Sequence, residues 1–291
     1  MSTSGSGNGI LEGFFGSVSG SVERWTGIEL NLSTVLLVVG VVPVLLGLRA
    51  AGRIHRTVRS GLSLLSGPGT VSRAAVKHIM ENCEPGNPEM ALKCADELDA
   101  SGKHFLIHIG EEKGRLFDSA VREHRPTVVL ELGGYFGYSA LRVARLLSAD
   151  DNAKLYSMEI NQECAESCRT LLKFCGVDDR AEVLNCAAQD GIAEFRERTG
   201  RSSVDMVVID HWKPLYLPDL KRLEASGLMH PGTVVLADNI LYPGVPDYKE
   251  YVTTSPKYQT EMHVSKMTTY MGKEAEDAVA ISVYLGEQGE G

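Results

Sequence analysis

Val128-Val-Leu-Glu-Leu-Gly-Gly-Tyr-Phe-Gly-Tyr-Ser139 is the segment from which the architecture of this chain can be predicted. Its apolar run stops at closely spaced glycines, which indicates a strand followed by a tight turn. The apolar residues between Tyr138 and Leu147 then recur at helical spacing. Strand, turn and helix in this order predict an open α/β sheet, whose ligands bind at the carboxyl ends of its strands. Glycines also end strands for local reasons, so the turn alone does not identify a ligand.

The chemistry of the turn distinguishes between classes of ligand. A dinucleotide-binding turn has the pattern G-x-G-x-x-G, whereas Tyr135 stands at its third position here, so the turn is poorly suited to a pyrophosphate. Glu131 would repel a phosphate and attract a cation. A second strand is predicted from Lys154 to Ile160, and its Glu159 lies roughly 20 residues beyond the turn, where a carboxylate can bind a ribose diol. A ribose without phosphate, with a cation near Glu131, indicates S-adenosylmethionine; the alternative for Glu159 is an exposed strand-end carboxylate.

Composition excludes several classes of protein. The 291 residues, 43% of them hydrophobic, are enough for one sizeable core. A net charge of -9 argues against a general nucleic-acid-binding protein, which needs basic clusters to neutralise phosphates. The six cysteines show no C-x-x-C or Cys/His metal spacing, so we interpret them as free thiols in a reducing compartment. The oligomeric state is left open.

The N-terminal part differs in composition from the rest. We predict a flexible tail at residues 1–30, a transmembrane anchor at 31–50, a basic linker at 51–70 and one folded domain at 71–291. Residues 32–48 carry no charge and are just long enough to span a bilayer. Arginines follow this segment, so the positive-inside rule predicts a single-pass membrane protein with a cytosolic C-terminal domain. A cleaved signal peptide would start with charge and lie closer to residue 1.

The order of predicted elements gives the fold class. Helical stretches at 71–82 and 88–100 precede the sheet, and strands then alternate with helices up to the strand predicted at 233–237. Two further strand candidates, 258–264 and 279–285, lie close together at the C-terminus. This order predicts an α/β protein with a mostly parallel seven-stranded sheet and an antiparallel edge.

Two of the predicted strands end in oxygen-bearing side chains. Asp210 ends one strand, and Asp238 and Asn239 end the next. Hard oxygen ligands without histidine or cysteine suit Mg²⁺, although each residue alone could cap a helix. A divalent cation disfavours the charged form of a neighbouring lysine, so Lys213 is a candidate base; an ordinary surface lysine is the alternative. We assign His211 no acid–base role.

Several of these motifs together resemble one family of enzymes. Glu131-Leu-Gly-Gly-Tyr-Phe-Gly-Tyr-Ser139, Met158-Glu-Ile-Asn161, Ala188-Gln-Asp190, Asp210-His-Trp-Lys213 and Ala237-Asp-Asn239 resemble catechol O-methyltransferases, over about residues 72 to 286. The predicted anchor resembles the membrane-bound form of that enzyme. The resemblance implies a Rossmann-like class I methyltransferase that moves a methyl group from S-adenosylmethionine to a hydroxyl of a catechol with the help of Mg²⁺.

The resemblance also implies residue roles. The cofactor site would comprise Ile109, Glu131, Gly133, Tyr135, Ser139, Glu159, Gln189, Asp210 and His211. Mg²⁺ would be held by Asp210, Asp238 and Asn239, with Lys213 as the catalytic base. The substrate would contact Phe105, Trp212, Lys213, Asn239, Pro243 and Thr269, and Phe105 stands where the family commonly has tryptophan.

One position departs from the family pattern. Thr269 precedes Tyr270-Met271, where the family has a glutamate that holds the second catechol hydroxyl. Two alternatives therefore stay open. The chain could be a trafficking or scaffold protein, like the related transmembrane O-methyltransferase-like proteins. It could also be a Mg²⁺-dependent O-methyltransferase for another vicinal diol, such as a phenylpropanoid, or for a modified base.

Overall fold

The computed structural model describes residues 67–102, 106–149, 152–268 and 274–287. The predicted tail and anchor, almost all of the linker, Phe105 and Thr269 lie outside the described residues. Within these four ranges, no helix combines the length and the apolar content needed to cross a bilayer.

The helices and strands alternate along the described chain. The helices are α1 (Pro68–Asn82), α2 (Pro88–Ala100), α3 (Gly110–His124), α4 (Tyr138–Ala144), α5 (Gln162–Phe174), α6 (Ala188–Thr199), α7 (Tyr216–Ser226) and α8 (Pro246–Thr254). The strands are β1 (Val128–Leu132), β2 (Lys154–Met158), β3 (Ala181–Leu184), β4 (Val204–Ile209), β5 (Met229–Ala237), β6 (Tyr258–Thr268) and β7 (Glu274–Tyr284). Short helical turns at Lys213–Leu215 and Ile240–Gly244 follow β4 and β5.

The strands form one seven-stranded sheet in the order β3-β2-β1-β4-β5-β7-β6. The first five strands in this order pair in parallel, and β7 pairs antiparallel with both β5 and β6. The predicted fold class is therefore confirmed. The chain order reverses direction between β1 and β4, and ligands of doubly wound sheets bind at such a switch point.

The central strands are covered on both faces. All five residues of β1 are buried, as in a parallel strand with helices on both sides. Val129 packs into the core cluster that includes Phe117 of α3, whereas Leu130 packs into the cluster that includes Tyr216 of α7. The two core clusters cover both faces of β1 and β4, so packing fixes the positions of the ends of these strands.

Two helices were not predicted. In α3, two glycines lower the helix propensity. A Cβ on one of them, Gly114, would lie 2.5 Å from Nε of Arg142, so its lack of a side chain permits the close packing of α3 on α4. Helix α8 is short and includes Val252, Thr253 and Thr254, whose branched side chains favour strands. Tertiary packing overrides the local preference in both helices.

Candidate active site

The carboxyl ends of β1, β4 and β5 lie side by side. Leu132 pairs with Ile209, and Ile209 pairs with Ala237. The backbone continues this alignment, because Asp210 N donates to Leu132 O at 2.9 Å and Asp238 N donates to Ile209 O at 3.2 Å. Asp210 and Asp238 therefore follow neighbouring strand ends. Burial raises the pKa of Asp238 to about 6, and the charge of Asp210 adds to this rise.

The turn after β1 packs closely against its neighbours. Gly133 has φ +98°, and a Cβ there would lie 2.5 Å from the carbonyl oxygen of Asp210. A Cβ on Gly134 would lie 2.5 Å from the hydroxyl of Ser157. Tyr135 follows with a left-handed φ of 45°. A turn built in this way leaves backbone, rather than side chains, above the end of β1.

Glu131 lies beneath this turn with no exposed surface. The hydroxyl of Ser157 donates to its Oε2, whereas Oε1 is buried and has no hydrogen-bond partner among the described residues. Burial raises the pKa of Glu131 to about 7, although the hydroxyls of Ser157 and Ser139 oppose the shift. A buried, unpaired carboxylate oxygen is costly, so this position favours a ligand that brings a cationic group.

Glu159 ties the turn to the next helix. Its Oε2 accepts a hydrogen bond from Tyr135 N at 2.8 Å, and its Oε1 accepts one from Asn161 N at 2.7 Å. Burial raises its pKa despite these backbone donors. Glu159 therefore has a structural role, and each oxygen still keeps a lone pair with which it could accept a hydroxyl. Strand β2 ends at Met158 instead of the predicted Ile160, and the chain turns into α5, whose N-cap is Asn161.

The candidate metal ligands have unexpected neighbours. Asp238 is buried, and both of its oxygens accept hydrogen bonds from Lys113 Nζ, at 2.6 and 2.8 Å. Lys113 also donates to Asp277 Oδ2 at 2.9 Å, and Asn239 Nδ2 donates to the same oxygen at 3.0 Å. Sequence reasoning missed Lys113 and Asp277. The only sequence signal for either residue was a charged side chain within a stretch whose neighbouring residues face the core.

The donor set fits a hard cation. Asp210 and Asp238 offer carboxylate oxygens, and Asn239 offers its amide oxygen, because its amide nitrogen is bound to Asp277. Across the described residues, no group of three or more His, Cys, Asp or Glu side chains is arranged to hold a metal. That statement does not cover the set Asp210, Asp238 and Asn239, because asparagine is not one of those four residue types.

Lys213 lies beside Asp210. Its Nζ donates to Asp210 Oδ1 at 2.9 Å and to the hydroxyl of Tyr216 at 2.7 Å. Tyr216 was not predicted as a site residue. Its burial raises its pKa well above the ordinary value, so its hydroxyl stays neutral and does not compete with Lys213 for a proton. Tyr216 and Asp210 together hold the lysine at the carboxyl end of β4.

Asp219 and Tyr216 fix the orientation of the His211 ring. Its Nε2 lies 2.8 Å from Asp219 Oδ2, and its ring stacks on Tyr216 with 5.3 Å between centroids. Its buried Nδ1 has no partner within the described part of the chain. The assignment of no acid–base role to His211 stays a prediction.

The remaining predicted residues lie around the same edge or outside the described chain. Ile109 is buried at the start of α3, and Gln189 is exposed at the start of α6. Trp212 is half-buried and precedes Lys213, whereas Pro243 is exposed in the turn after β5. These positions remain predictions as ligand contacts.

Comparisons with known proteins identify the family. An O-methyltransferase family model matches residues 91–283. Catechol O-methyltransferase of Mus musculus is 39% identical over 240 residues, which cover 82% of this chain and 88% of the mouse protein. This chain belongs to the catechol O-methyltransferase family. It is accordingly an S-adenosylmethionine-dependent O-methyltransferase. The transmembrane O-methyltransferase of Homo sapiens is more distant, with 31% identity over 79% of this chain and 77% of the human protein.

Solved structures agree on the fold. An O-methyltransferase from Bacillus cereus in complex with SAH has a TM-score of 0.55 at 20% identity, covering 66% of this chain and 90% of that chain. The O-methyltransferase TomG from Streptomyces achromogenes, in complex with SAM, has a TM-score of 0.56 at 22% identity, covering 67% and 89%. Sequence identities this low support the shared fold alone.

Proposed function

We propose that this chain is a Mg²⁺-dependent enzyme that transfers the methyl group of S-adenosylmethionine to a hydroxyl of a catechol, such as a catecholamine. The proposal rests on one observation: two features lie together at one edge of the sheet. One is the buried Glu131 with an unpartnered oxygen, and the other is the group Asp210, Lys213, Asp238 and Asn239. The first suits a cationic methyl donor, and the second suits a metal-assisted deprotonation.

The methyl donor would bind along the ends of β1 and β2. Glu131 Oε1 would pair with the ammonium group of the donor, and Glu159 would accept its ribose hydroxyls. The other proposed contacts are Ile109, Gly133, Tyr135, Ser139, Gln189, Asp210 and His211. The identity to catechol O-methyltransferase of Mus musculus supports a donor of this kind.

Asp210, Asp238 and Asn239 would hold the metal. Mg²⁺ bound there would supply a Lewis acid that lowers the pKa of a hydroxyl of the substrate. Lys213 Nζ, 2.9 Å from Asp210 Oδ1, would be placed by that contact to accept the hydroxyl proton. Tyr216 would hold the lysine in place through its 2.7 Å hydrogen bond.

The bonds and charges of the methyl transfer balance when Lys213 takes the proton. The hydroxyl gives its proton to the neutral amine of Lys213, and its oxygen forms the new bond to the methyl carbon. The bond between that carbon and sulfur breaks, and its electron pair neutralises the sulfonium. The products are a methyl ether, S-adenosylhomocysteine and a protonated Lys213, whose charge Asp210 stabilises. Positioning the two reactants in line supplies much of the rate enhancement.

The substrate pocket would determine the specificity. We infer that Trp212 and Pro243 form apolar walls for an aromatic ring, and that Asn239 and Lys213 lie near its hydroxyls. The contact of Phe105 stays a prediction from the resemblance. Thr269 offers one hydroxyl in place of a carboxylate, so the second hydroxyl of the substrate would depend more on the metal. The specificity would then extend to other aromatic vicinal diols.

A substrate panel tests the function. We expect the purified full chain, with labelled S-adenosylmethionine and Mg²⁺, to methylate catechols but not monophenols of matched size, because only a diol supplies two oxygens to the metal. EDTA is expected to abolish transfer, and excess Mg²⁺ to restore it. Equal labelling of a matched monophenol, or transfer that survives EDTA, would contradict the proposal.

A scaffold or trafficking role is the second candidate, and the threonine at position 269, where the family has a glutamate, favours it. The same panel separates the two candidates. Absence of transfer to every diol, from a chain that still binds S-adenosylmethionine, would favour the scaffold role.

We also propose that residues 31–50 anchor the chain in a membrane by a single pass, with the methyltransferase domain in the cytosol. The uncharged run at 32–48 and the arginines after it support this topology. The full chain is then expected to stay in the membrane fraction after alkaline washing and to release its C-terminal domain when intact vesicles are treated with protease from the cytosolic side. Recovery in the alkaline supernatant would argue against the anchor.

A further inference from the structure

Asp277 is a fully buried carboxylate with an unusually large number of donors. Its Oδ1 accepts hydrogen bonds from the backbone N–H groups of Leu241, Tyr242 and Ala278, at 3.1, 3.0 and 2.7 Å. Its Oδ2 accepts from Lys113 Nζ at 2.9 Å and from Asn239 Nδ2 at 3.0 Å. A carboxylate has about four lone-pair positions, so these donors occupy it fully. Asp277 therefore has no capacity left to bind a metal.

The contact with Asn239 determines which end of that amide is free. A carboxylate only accepts hydrogen bonds, so the amide group that faces Asp277 must be the NH₂. The amide oxygen of Asn239 then points away from Asp277. A flipped amide would place two oxygens together and would present a donor, rather than an oxygen, to a cation.

Lys113 acts on the other ligand that follows β5. Its Nζ binds both oxygens of Asp238 and also Asp277, and its side chain is itself buried. The ammonium therefore links the carboxylate of Asp238 to that of Asp277. A carboxylate held by two hydrogen bonds has little rotational freedom, and its outward lone pairs stay available.

We propose that Asp277 is the positioning residue of the Mg²⁺ site: it turns the amide oxygen of Asn239 toward the ion, while Lys113 fixes Asp238. The inference rests on the metal-dependent function proposed above. It goes beyond that function because Asp277 touches neither the metal nor the substrate and acts through Asn239. Partners of this kind orient metal ligands in many proteins and set metal affinity.

Exchanging the side chains of Asp277 and Asn239 tests the orientation of the amide of Asn239 without changing the net charge. In Asp277→Asn, the new amide can keep the backbone donors on its oxygen, but its NH₂ then faces the NH₂ of Asn239. It also faces Lys113 Nζ, which keeps its two hydrogen bonds to Asp238. Asn239 is expected to flip and to lose its place as an oxygen ligand. In Asn239→Asp, two carboxylates face each other across 3.0 Å, and their repulsion displaces the ligand. The double variant restores one donor and one acceptor, with the net charge of the natural chain.

The probe is Mn²⁺, whose free fraction is measured by electron paramagnetic resonance with the full chain at pH 8. We expect each single variant to bind Mn²⁺ roughly 10–100-fold more weakly than the natural chain. The double variant is expected to recover to within roughly threefold of it. Asp247→Asn, which removes an exposed carboxylate at the start of α8, is the charge control and should bind Mn²⁺ normally. Binding of S-adenosylmethionine without metal reports that each variant is folded.

The possible results separate the two proposals. If the natural chain binds neither Mn²⁺ nor Mg²⁺, the metal-dependent function fails and this inference fails with it. If the natural chain binds metal and Asp277→Asn binds it equally well, only the positioning role is overturned. Tighter binding by Asn239→Asp, with additive effects in the double variant, would mean that charge alone governs the site and would also overturn it. Should Asp277→Asn not fold, Asn239→Asp and the double variant still decide the matter.

Discussion

Replacement of Lys213 by methionine is expected to lower the turnover number for methyl transfer by roughly 10²–10⁴-fold, the range typical of a general base. Methionine keeps an unbranched apolar stem of similar length but cannot accept a proton. The affinity for S-adenosylmethionine should change little, because Lys213 contacts Asp210 and Tyr216 rather than Glu131 or Glu159. Single-turnover transfer to a catechol, with calorimetric binding of the donor, measures both quantities.

Two companion variants sharpen this test. Lys221→Met removes a lysine on α7 that lies over the ring of Tyr251, 5.0 Å from its centroid, and it should leave turnover unchanged. Lys213→Arg keeps the positive charge but cannot serve as a base, because a guanidinium stays protonated. Full activity in Lys213→Arg would show that charge, rather than proton transfer, is the contribution of this position. Full activity in Lys213→Met would place the base elsewhere.

Replacement of Glu131 by glutamine is expected to have two effects of opposite sign. Binding of S-adenosylmethionine should weaken by roughly 10²–10⁴-fold, because loss of a buried ion pair costs about 3–5 kcal/mol. The ligand-free protein should become more stable at neutral pH, because glutamine removes a buried carboxylate that has one unpartnered oxygen. A merely damaging substitution would lower both binding and stability.

The pH dependence follows from the raised pKa of Glu131. Burial raises that pKa from 4.5 to about 7, so between these values the folded chain keeps a proton that the unfolded chain has lost. The contribution of Glu131 to the free energy of unfolding therefore falls as pH rises through this window, by about 3 kcal/mol in total. Donor affinity should change in the opposite direction and rise with pH, since a cation favours the ionised carboxylate.

Thermal melts and donor titrations between pH 5 and 8 check both slopes. Glu131→Gln should remove this part of the pH dependence of stability, whereas Glu182→Gln, at a half-buried position of β3 beside Lys154, should leave it intact. Donor affinity that is unchanged in Glu131→Gln would exclude Glu131 as the partner of the ammonium group.

The strands could be predicted because their burial leaves a local signal. Residues 128–132 and 204–209 lie in a parallel sheet with helices on both faces, so the strands appear as short apolar runs bounded by turns. The strand ends were less predictable. Strand β2 stops at Met158, short of the predicted Ile160, and the chain turns into α5, whose N-cap is Asn161.

Some residues of the site could also be predicted from the sequence, and others could not. Asp210, Asp238 and Asn239 could be predicted as neighbours, because residues that follow adjacent parallel strands meet at one edge of the sheet. Tyr216 was missed although it is only three positions from Lys213, since a tyrosine at the start of an amphipathic helix is normally a core residue. Lys113 and Asp277 were missed because they lie 125 and 38 positions from their partners Asp238 and Asn239.

The amino-acid sequence alone determined the order of the strands and of all helices but α3 and α8. It also determined the glycine turn and the oxygen-bearing residues that end β4 and β5, because these features depend on local patterns of polarity. Only the tertiary structure decided how those residues are held. Lys113 comes from α3 and Asp277 from the antiparallel edge, and they meet behind the strand ends only after both have packed against the sheet. A buried charge is tolerated only when partners from distant segments surround it, so its role cannot be inferred from the residues next to it.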